Sequence, residues 1–161
     1  MREMRPGDWE SVREIYDEGI STGVATLEVR APPWEEWDRS HAPTPRLVAM
    51  LGSRVVGWAA LSPVSSRAVY RGVAEVSLYV AGRSRGLGIG SRLLRALAAA
   101  SERAGYWTLQ ASVLVENGVS LRVHEAAGFR VVGRRERIGQ RQGVWRDTII
   151  LERRSRVVGA D

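Results

Sequence analysis

Residues 83–90, RSRGLGIG, separate the apolar run VSLYVAG (76–82) from the amphipathic run SRLLRALAAASERAG (91–105). Three glycines, Gly86, Gly88 and Gly90, fall in five residues behind Arg85. The flanks predict a strand before this stretch and a helix after it. In that setting residues without Cβ let the backbone N–H groups of Gly86–Ser91 converge on one point, and the helix adds the positive end of its dipole. The segment is therefore an anion cradle or, on the plainer reading, an ordinary tight turn into a helix. A dinucleotide fingerprint needs G-x-G-x-x-G after an early strand, whereas the spacing here is G-x-G-x-G. A P-loop needs G-K-[ST], which a chain without lysine cannot supply.

The rest of the composition narrows the field. A length of 161 residues suits one domain with a real core. The chain is 44% hydrophobic and 26% charged, as in globular proteins. It contains no apolar run near the roughly 20 residues that span a bilayer. The N-terminal MREMRPGDWE has no signal-peptide core, so a cytoplasmic location is expected. Cysteine is absent and there are two histidines, which rules out disulfides and thiolate metal sites; no metal is expected. All 24 basic residues are arginine, giving a net charge of +6. They are scattered from Arg2 to Arg156 rather than gathered, which suits a solvated surface better than a nucleic-acid face. A positive field also favours capture of a small polyanion. Without lysine, Schiff-base chemistry is excluded.

Along the chain, Met1–Met4 reads as a short strand, and a helix follows Pro6 with Asp8 as its cap. STGVATLEV reads as loop, and PPWEEWDRSH as a short helix. RLVAMLGSRVVGWAALSPV reads as a hairpin turning at Gly52–Ser53. Val73–Val80 is a strand, 91–105 a helix ended by Gly105, and 106–114 another strand. A short helix runs from a cap at Asn117 to a stop at Gly128. A last hairpin turns through GQRQG, and the tail 154–161 is expected to fray. The order predicts an α/β fold (α+β in some schemes): one domain over 1–153, with a mixed, mostly antiparallel sheet and helices on both faces.

With those elements in place, RGLGIG, read as R-x-x-G-x-G, resembles the acetyl-CoA signature of the GNAT superfamily of N-acetyltransferases. The phosphinothricin acetyltransferase branch is closer. It combines E-x-S-x-Y-V, matched at Glu75–Val80, with N-x-x-S-x-x-x-H-E-A-x-G-F, matched at Asn117–Phe129. A late G-x-x-x-G-x-W-x-D matches Gly139, Gly143, Trp145 and Asp147. The resemblance implies a sheet splayed between two parallel strands. It implies acetyl-CoA as co-substrate, with phosphate contacts at Arg85, Gly86, Leu87, Gly88, Ile89, Gly90 and Ser91. Main chain at Leu78, Tyr79 and Val80 would hold the pantetheine arm, with the splay expected after SLYV. Asn117 and Ser120 would touch coenzyme, although Asn117 also suffices as a helix cap. A small amine acceptor and a homodimer are implied as well.

Transfer to an amine requires a neutral nitrogen, so a base must sit within hydrogen-bond reach. Strand alternation puts Glu75, Ser77 and Tyr79 on one face. On the residues alone Glu75 could simply face solvent; the resemblance makes it the catalytic carboxylate. His124 shares a helix face with Ser120 and Leu121, which suits a proton relay or, equally, a dipole-favoured helix end. For the acceptor, the family's R-x-A-Y-like segment matches loosely at Arg67, Val69 and Tyr70, with Ala68 and Val69 replacing the usual pair, Arg67 as a carboxylate clamp or a solvated loop residue, and Ser65 and Ser66 beside it as further candidates. Leu27 stands where relatives often carry an aromatic. Trp145 is a pocket or interface candidate, although Trp34, Trp37 and Trp145 are more often core residues. The implied reaction is direct acetylation of the α-amine of phosphinothricin, methionine sulfoximine or methionine sulfone. A peptide N-terminus, polyamine or antibiotic amine is the alternative acceptor. A module that binds coenzyme or nucleic acid without turnover is the non-enzymatic one.

Overall fold

The computed structural model describes residues 1–160. Seven strands form one sheet: β1 (Arg2–Glu3), β2 (Arg46–Leu51), β3 (Arg54–Pro63), β4 (Val73–Val80), β5 (Thr108–Leu114), β6 (Arg130–Arg141) and β7 (Val144–Arg154). Their spatial order is β1-β2-β3-β4-β5-β7-β6. Only β4 and β5 pair in parallel. The helices are α1 (Trp9–Ser21), α2 (Trp34–Ser40), α3 (Ile89–Arg103) and α4 (Gly118–Ala126). None of them is long and apolar enough to cross a membrane.

The helices divide between the two faces because the strand side chains do. Val76, Leu78 and Val80 join Leu109, Ala111 and Val113 on one face, where α3 packs. That helix presents Ile89, Leu93, Leu94, Leu97, Ala98 and Ser101 as a single buried stripe. Each of its three fully buried leucines contributes about 1.5–3 kcal/mol of apolar burial. The opposite face carries Trp58 and Tyr79 under Val12 and Ile15 of α1 and Trp37 of α2. The Trp58 and Tyr79 rings stack at 4.9 Å, and the Tyr79 ring takes the space a side chain at Gly19 would fill.

The feature that positions the site is a parallel pairing only three residues long. It runs Val73 with Thr108, Ala74 with Leu109 and Glu75 with Gln110, and then stops. Gly72 fixes its start. Its carbonyl accepts from the N–H groups of Trp107 and Thr108, and a Cβ there would lie 2.1 Å from the Trp107 ring. Beyond Glu75, β5 keeps only β7, with which it pairs along its whole length on its other edge. The splay thus opens at Val76, five residues earlier than the expectation of a break after Val80, and leaves most of β4 with one free edge.

Other boundaries moved slightly. The helix expected from Ser91 starts at Ile89 and ends at Arg103, with Gly105 following in a left-handed turn. The last hairpin turns on Gln142 and Gly143 alone, both at positive φ, so its strands run longer than expected. The tail expected to fray is tied down at its start. Ser155 is buried and donates its N–H to the Trp107 carbonyl at 2.8 Å, while Arg154 bonds the carbonyls of Trp107 and Val158 at 2.8 Å each.

Candidate active site

The splay holds a cavity of about 290 Å³. Glu75, Ser77 and Leu78 wall it on the β4 side, and Ala111, Ser112 and Val113 on the β5 side. Asn117, Ser120 and His124 of α4 close one end; Tyr16 of α1 and the segment Ala25–Glu28 lie over another side.

Glu75 is held by the last pair before the strands part. Gln110 donates Nε2–H to its Oε2 at 2.8 Å, which turns the carboxylate toward the opening and leaves its other oxygen unspent. His124 is buried against the Phe129 ring at 5.2 Å. Its Nδ1 lies 2.8 Å from the Ser120 carbonyl, which can only accept, so Nδ1 carries the proton and Nε2 is the free acceptor. Burial holds this imidazole below the usual histidine value, so at neutral pH it is uncharged. Asn117 caps α4 by accepting the Ser120 N–H at 3.1 Å. Tyr16 is pushed up to about 12 by burial, and Tyr79 is driven further in the same direction for the same reason. Both phenols stay protonated and serve as donors.

The turn ahead of α3 meets the requirements of a phosphate seat. Gly86 and Gly88 lie at φ of 79° and 72°, where other residues are strained. The first main-chain bond into α3 is Arg92 N–H to the Gly88 carbonyl. Among the described residues, no main-chain acceptor takes the N–H groups of Gly86 through Ser91. Six main-chain donors at and before a helix N-terminus are thus left unpaired. The β4 edge supplies the complement. Ala81 donates to the Val56 carbonyl at 2.9 Å, and the register alternates from there, so Ser77 and Tyr79 spend their main chain on β3. Val76, Leu78 and Val80 direct theirs into the splay. Arg85 bridges turn and strand, its Nε donating to the Val80 carbonyl at 3.4 Å. An amide-bearing chain ending in pyrophosphate, as in acetyl-CoA, fits both edges. Tyr79, expected to serve through its main chain, meets the cavity with its side chain instead.

The expected acceptor residues divide. Leu27 lines the cavity and packs where a Cβ on Gly139 would stand, 2.5 Å from its Cδ1. Ser65, Ser66, Arg67 and Tyr70 do not line it. They form an exposed turn before β4, where the Arg67 guanidinium lies over the Tyr70 ring at 5.2 Å. Trp145, opposite Gln140 in the last hairpin, is exposed and also stands outside the cavity wall. Gln110, Tyr16, Ser112 and Thr148 belong to the site and escaped the sequence reading. Their roles arise from pairings across strands, and no local motif marks them.

Comparison with known proteins agrees with this geometry. Residues 9–129 match the model of the acetyltransferase (GNAT) family. The chain is 32% identical over 160 residues to a phosphinothricin N-acetyltransferase of Alcaligenes faecalis, covering 95% of this chain and 81% of that protein. It is 27% identical over 158 residues to an L-methionine sulfoximine/L-methionine sulfone acetyltransferase of Pseudomonas aeruginosa, covering 94% and 92%. The crystal structure of a GNAT superfamily phosphinothricin acetyltransferase from Sinorhizobium meliloti, in complex with acetyl-CoA, superposes with a TM-score of 0.88 at 30% identity, covering 99% and 90%. This chain belongs to the acetyltransferase (GNAT) family.

Proposed function

We propose that this acetyltransferase acts on the α-amine of a small amino-acid-like molecule in a ternary complex with acetyl-CoA. The observation that carries this reading is the single carboxylate at the point where β4 and β5 part. Glu75, oriented by Gln110, stands where the free β4 edge meets an open cavity of about 290 Å³. That volume suits an amino acid. The named relatives that act on phosphinothricin and methionine sulfone point to the same acceptor class.

Acetyl-CoA supplies an acetyl thioester with a thiolate leaving group. The unpaired N–H groups of Gly86–Ser91 hold its phosphates, and Leu78 and Val80 hold its amide arm by main-chain bonds. Glu75 takes the proton from the acceptor ammonium, directly or through one water, which frees the nitrogen lone pair. His124, neutral and with Nε2 unspent, stands as a second proton acceptor at the α4 end. Asn117 and Ser120 shape that end of the wall. No cysteine exists to carry an acetyl group, which excludes an acetyl-cysteine intermediate and favours direct transfer.

We also read the chain as a homodimer, with the exposed Val131, Val132, Val144 and Trp145 of the last hairpin meeting a second copy. Light scattering at micromolar concentration tests that state. For the activity, free-thiol release from acetyl-CoA is measured with phosphinothricin, methionine sulfone, a short peptide and a polyamine. The two amino-acid acceptors are expected to show the highest kcat/KM. Preference for the peptide or the polyamine refutes the assignment.

A further inference from the structure

On the acceptor side of the sheet the registers align a row of polar side chains across four strands. Glu75 pairs with Gln110; two residues on, Ser112 lies on the same face of β5, followed by Leu114. Leu114 stands opposite Thr148, and Thr148 opposite Arg135. Directly opposite residues share a face, so Arg135 reaches over β7 to Ser112 and stands behind the cavity wall, not on it. Its Nη2 donates to Ser112 Oγ at 2.5 Å, and Ser112 lines the cavity.

Three features of this row remain unspent. Thr148 is only 5% exposed, lines the cavity, and its Oγ1 has no hydrogen-bond partner. Arg135 Nε is buried without a partner, and among the described residues no carboxylate pairs with this guanidinium. Ser112 accepts from a cation, so its own hydroxyl proton is free to donate into the cavity. Buried polar groups normally find partners, and here two orphans and one polarised hydroxyl gather without an anion. The coenzyme's phosphates sit elsewhere: their seat leads into α3, which packs on the other face of the sheet. By strand spacing and rise, Ser112 lies about 8 Å from Glu75, the span of a four- to five-carbon amino acid.

We propose that Arg135, Ser112 and Thr148 form an anion-receiving wall, which selects acceptors bearing a negatively charged group at the end remote from the amine. Rested on the acceptor class proposed above, this makes an acidic amino acid or its phosphinate counterpart the preferred substrate over a neutral one of equal length. Arg67, stacked on Tyr70 outside the cavity, leaves that role open within this chain.

The test compares kcat/KM for phosphinothricin and L-glutamate with that for L-methionine sulfone, in wild type, Arg135→Leu, Arg135→Lys and Thr148→Val. Losing a charge-assisted bond in a partly buried site lowers the anionic-to-neutral ratio by about 10- to 100-fold in Arg135→Leu, mostly through KM. Arg135→Lys restores part of the ratio. A merely structural strut to Ser112 would lower both acceptor types equally and leave the ratio unchanged, and that result overturns the proposal. Binding of L-glutamate in the presence of CoA, followed by calorimetry, gives a readout without turnover. Wild type binds it at least about 10-fold more tightly than Arg135→Leu. Equal affinity also overturns the proposal, even if amino acids are acetylated. Turnover of no amino acid by wild type, with that affinity difference intact, overturns the acceptor class and leaves the anion wall standing.

Discussion

Replacing Glu75 by glutamine separates the carboxylate's chemical role from its structural one. The structure gives this side chain one defined partner, Gln110 Nε2 at 2.8 Å, and a glutamine at position 75 keeps an oxygen that can accept it. What the fold loses is the charge assistance of one hydrogen bond, about 1 kcal/mol, or a melting temperature lower by about 2–4 °C. What the reaction loses, on the proposed mechanism, is its base. General-base catalysis contributes about 10²–10⁴-fold, so kcat should fall by that factor while the affinity for acetyl-CoA, assigned above to Gly86–Ser91 and the β4 edge, stays within about 2-fold. The deficit should shrink as pH rises toward the pKa of the acceptor amine, because solvent then supplies the neutral nitrogen. Steady-state thiol release at saturating acceptor across pH 7–10, with calorimetric titration of CoA, reads both quantities. An unchanged kcat, or a loss matched by equal loss of CoA affinity, would falsify the base assignment.

Three other outcomes follow from particular residues. Gly88 sits at φ 72° with open space around it, so Gly88→Ala costs about 1–2 kcal/mol of backbone strain and turns its N–H away from the cradle. The KM for acetyl-CoA should rise about 10-fold while the acceptor KM holds; equal effects on both contradict a phosphate seat. Gly72→Ala would place a Cβ 2.1 Å from the Trp107 ring, and such overpacking costs about 1–3 kcal/mol. The melting temperature should drop by about 3–10 °C, and an unchanged value denies that this contact pins the parallel pair. His124 and His41 are both held below the usual 6.5 by burial, so below that value the unfolded chain binds protons that the folded one refuses. Their contribution is fully present above pH 6.5 and is lost as pH falls through the folded values. Melting temperature should therefore decline from pH 7.5 to 5.5, and a rise over that window refutes the sign.

What was legible in the sequence was local. The strand Val73–Val80, the Asn117 cap and the left-handed stop at Gly128 follow from alternation, capping chemistry and backbone freedom within a few residues. The glycine turn was legible for the same reason: its donors belong to consecutive residues. The point where β4 and β5 separate was not, because it depends on where β5, held to β7 along its whole length, loses β4 on its other edge, and 34 residues lie between Glu75 and Gln110, the last pair. Arg135 shows the limit most clearly. In sequence it is one of 24 arginines, beside Arg134 and two residues from Arg137. Only the register through Thr148 and Leu114 carries it to Ser112, which lines the cavity. Arg67 shows the converse, since a persuasive motif position lies in an exposed turn that does not line the cavity.

The central claim is tested most directly by offering the protein acetyl-CoA with an equimolar mixture of phosphinothricin, glutamate, methionine sulfone, a short peptide and a polyamine, and identifying the products by mass spectrometry. The account predicts N-acetylated amino acids, with the anionic acceptors foremost and the products lost in Glu75→Gln. Acetylation confined to the peptide or the polyamine, with the amino acids recovered unchanged, would contradict it.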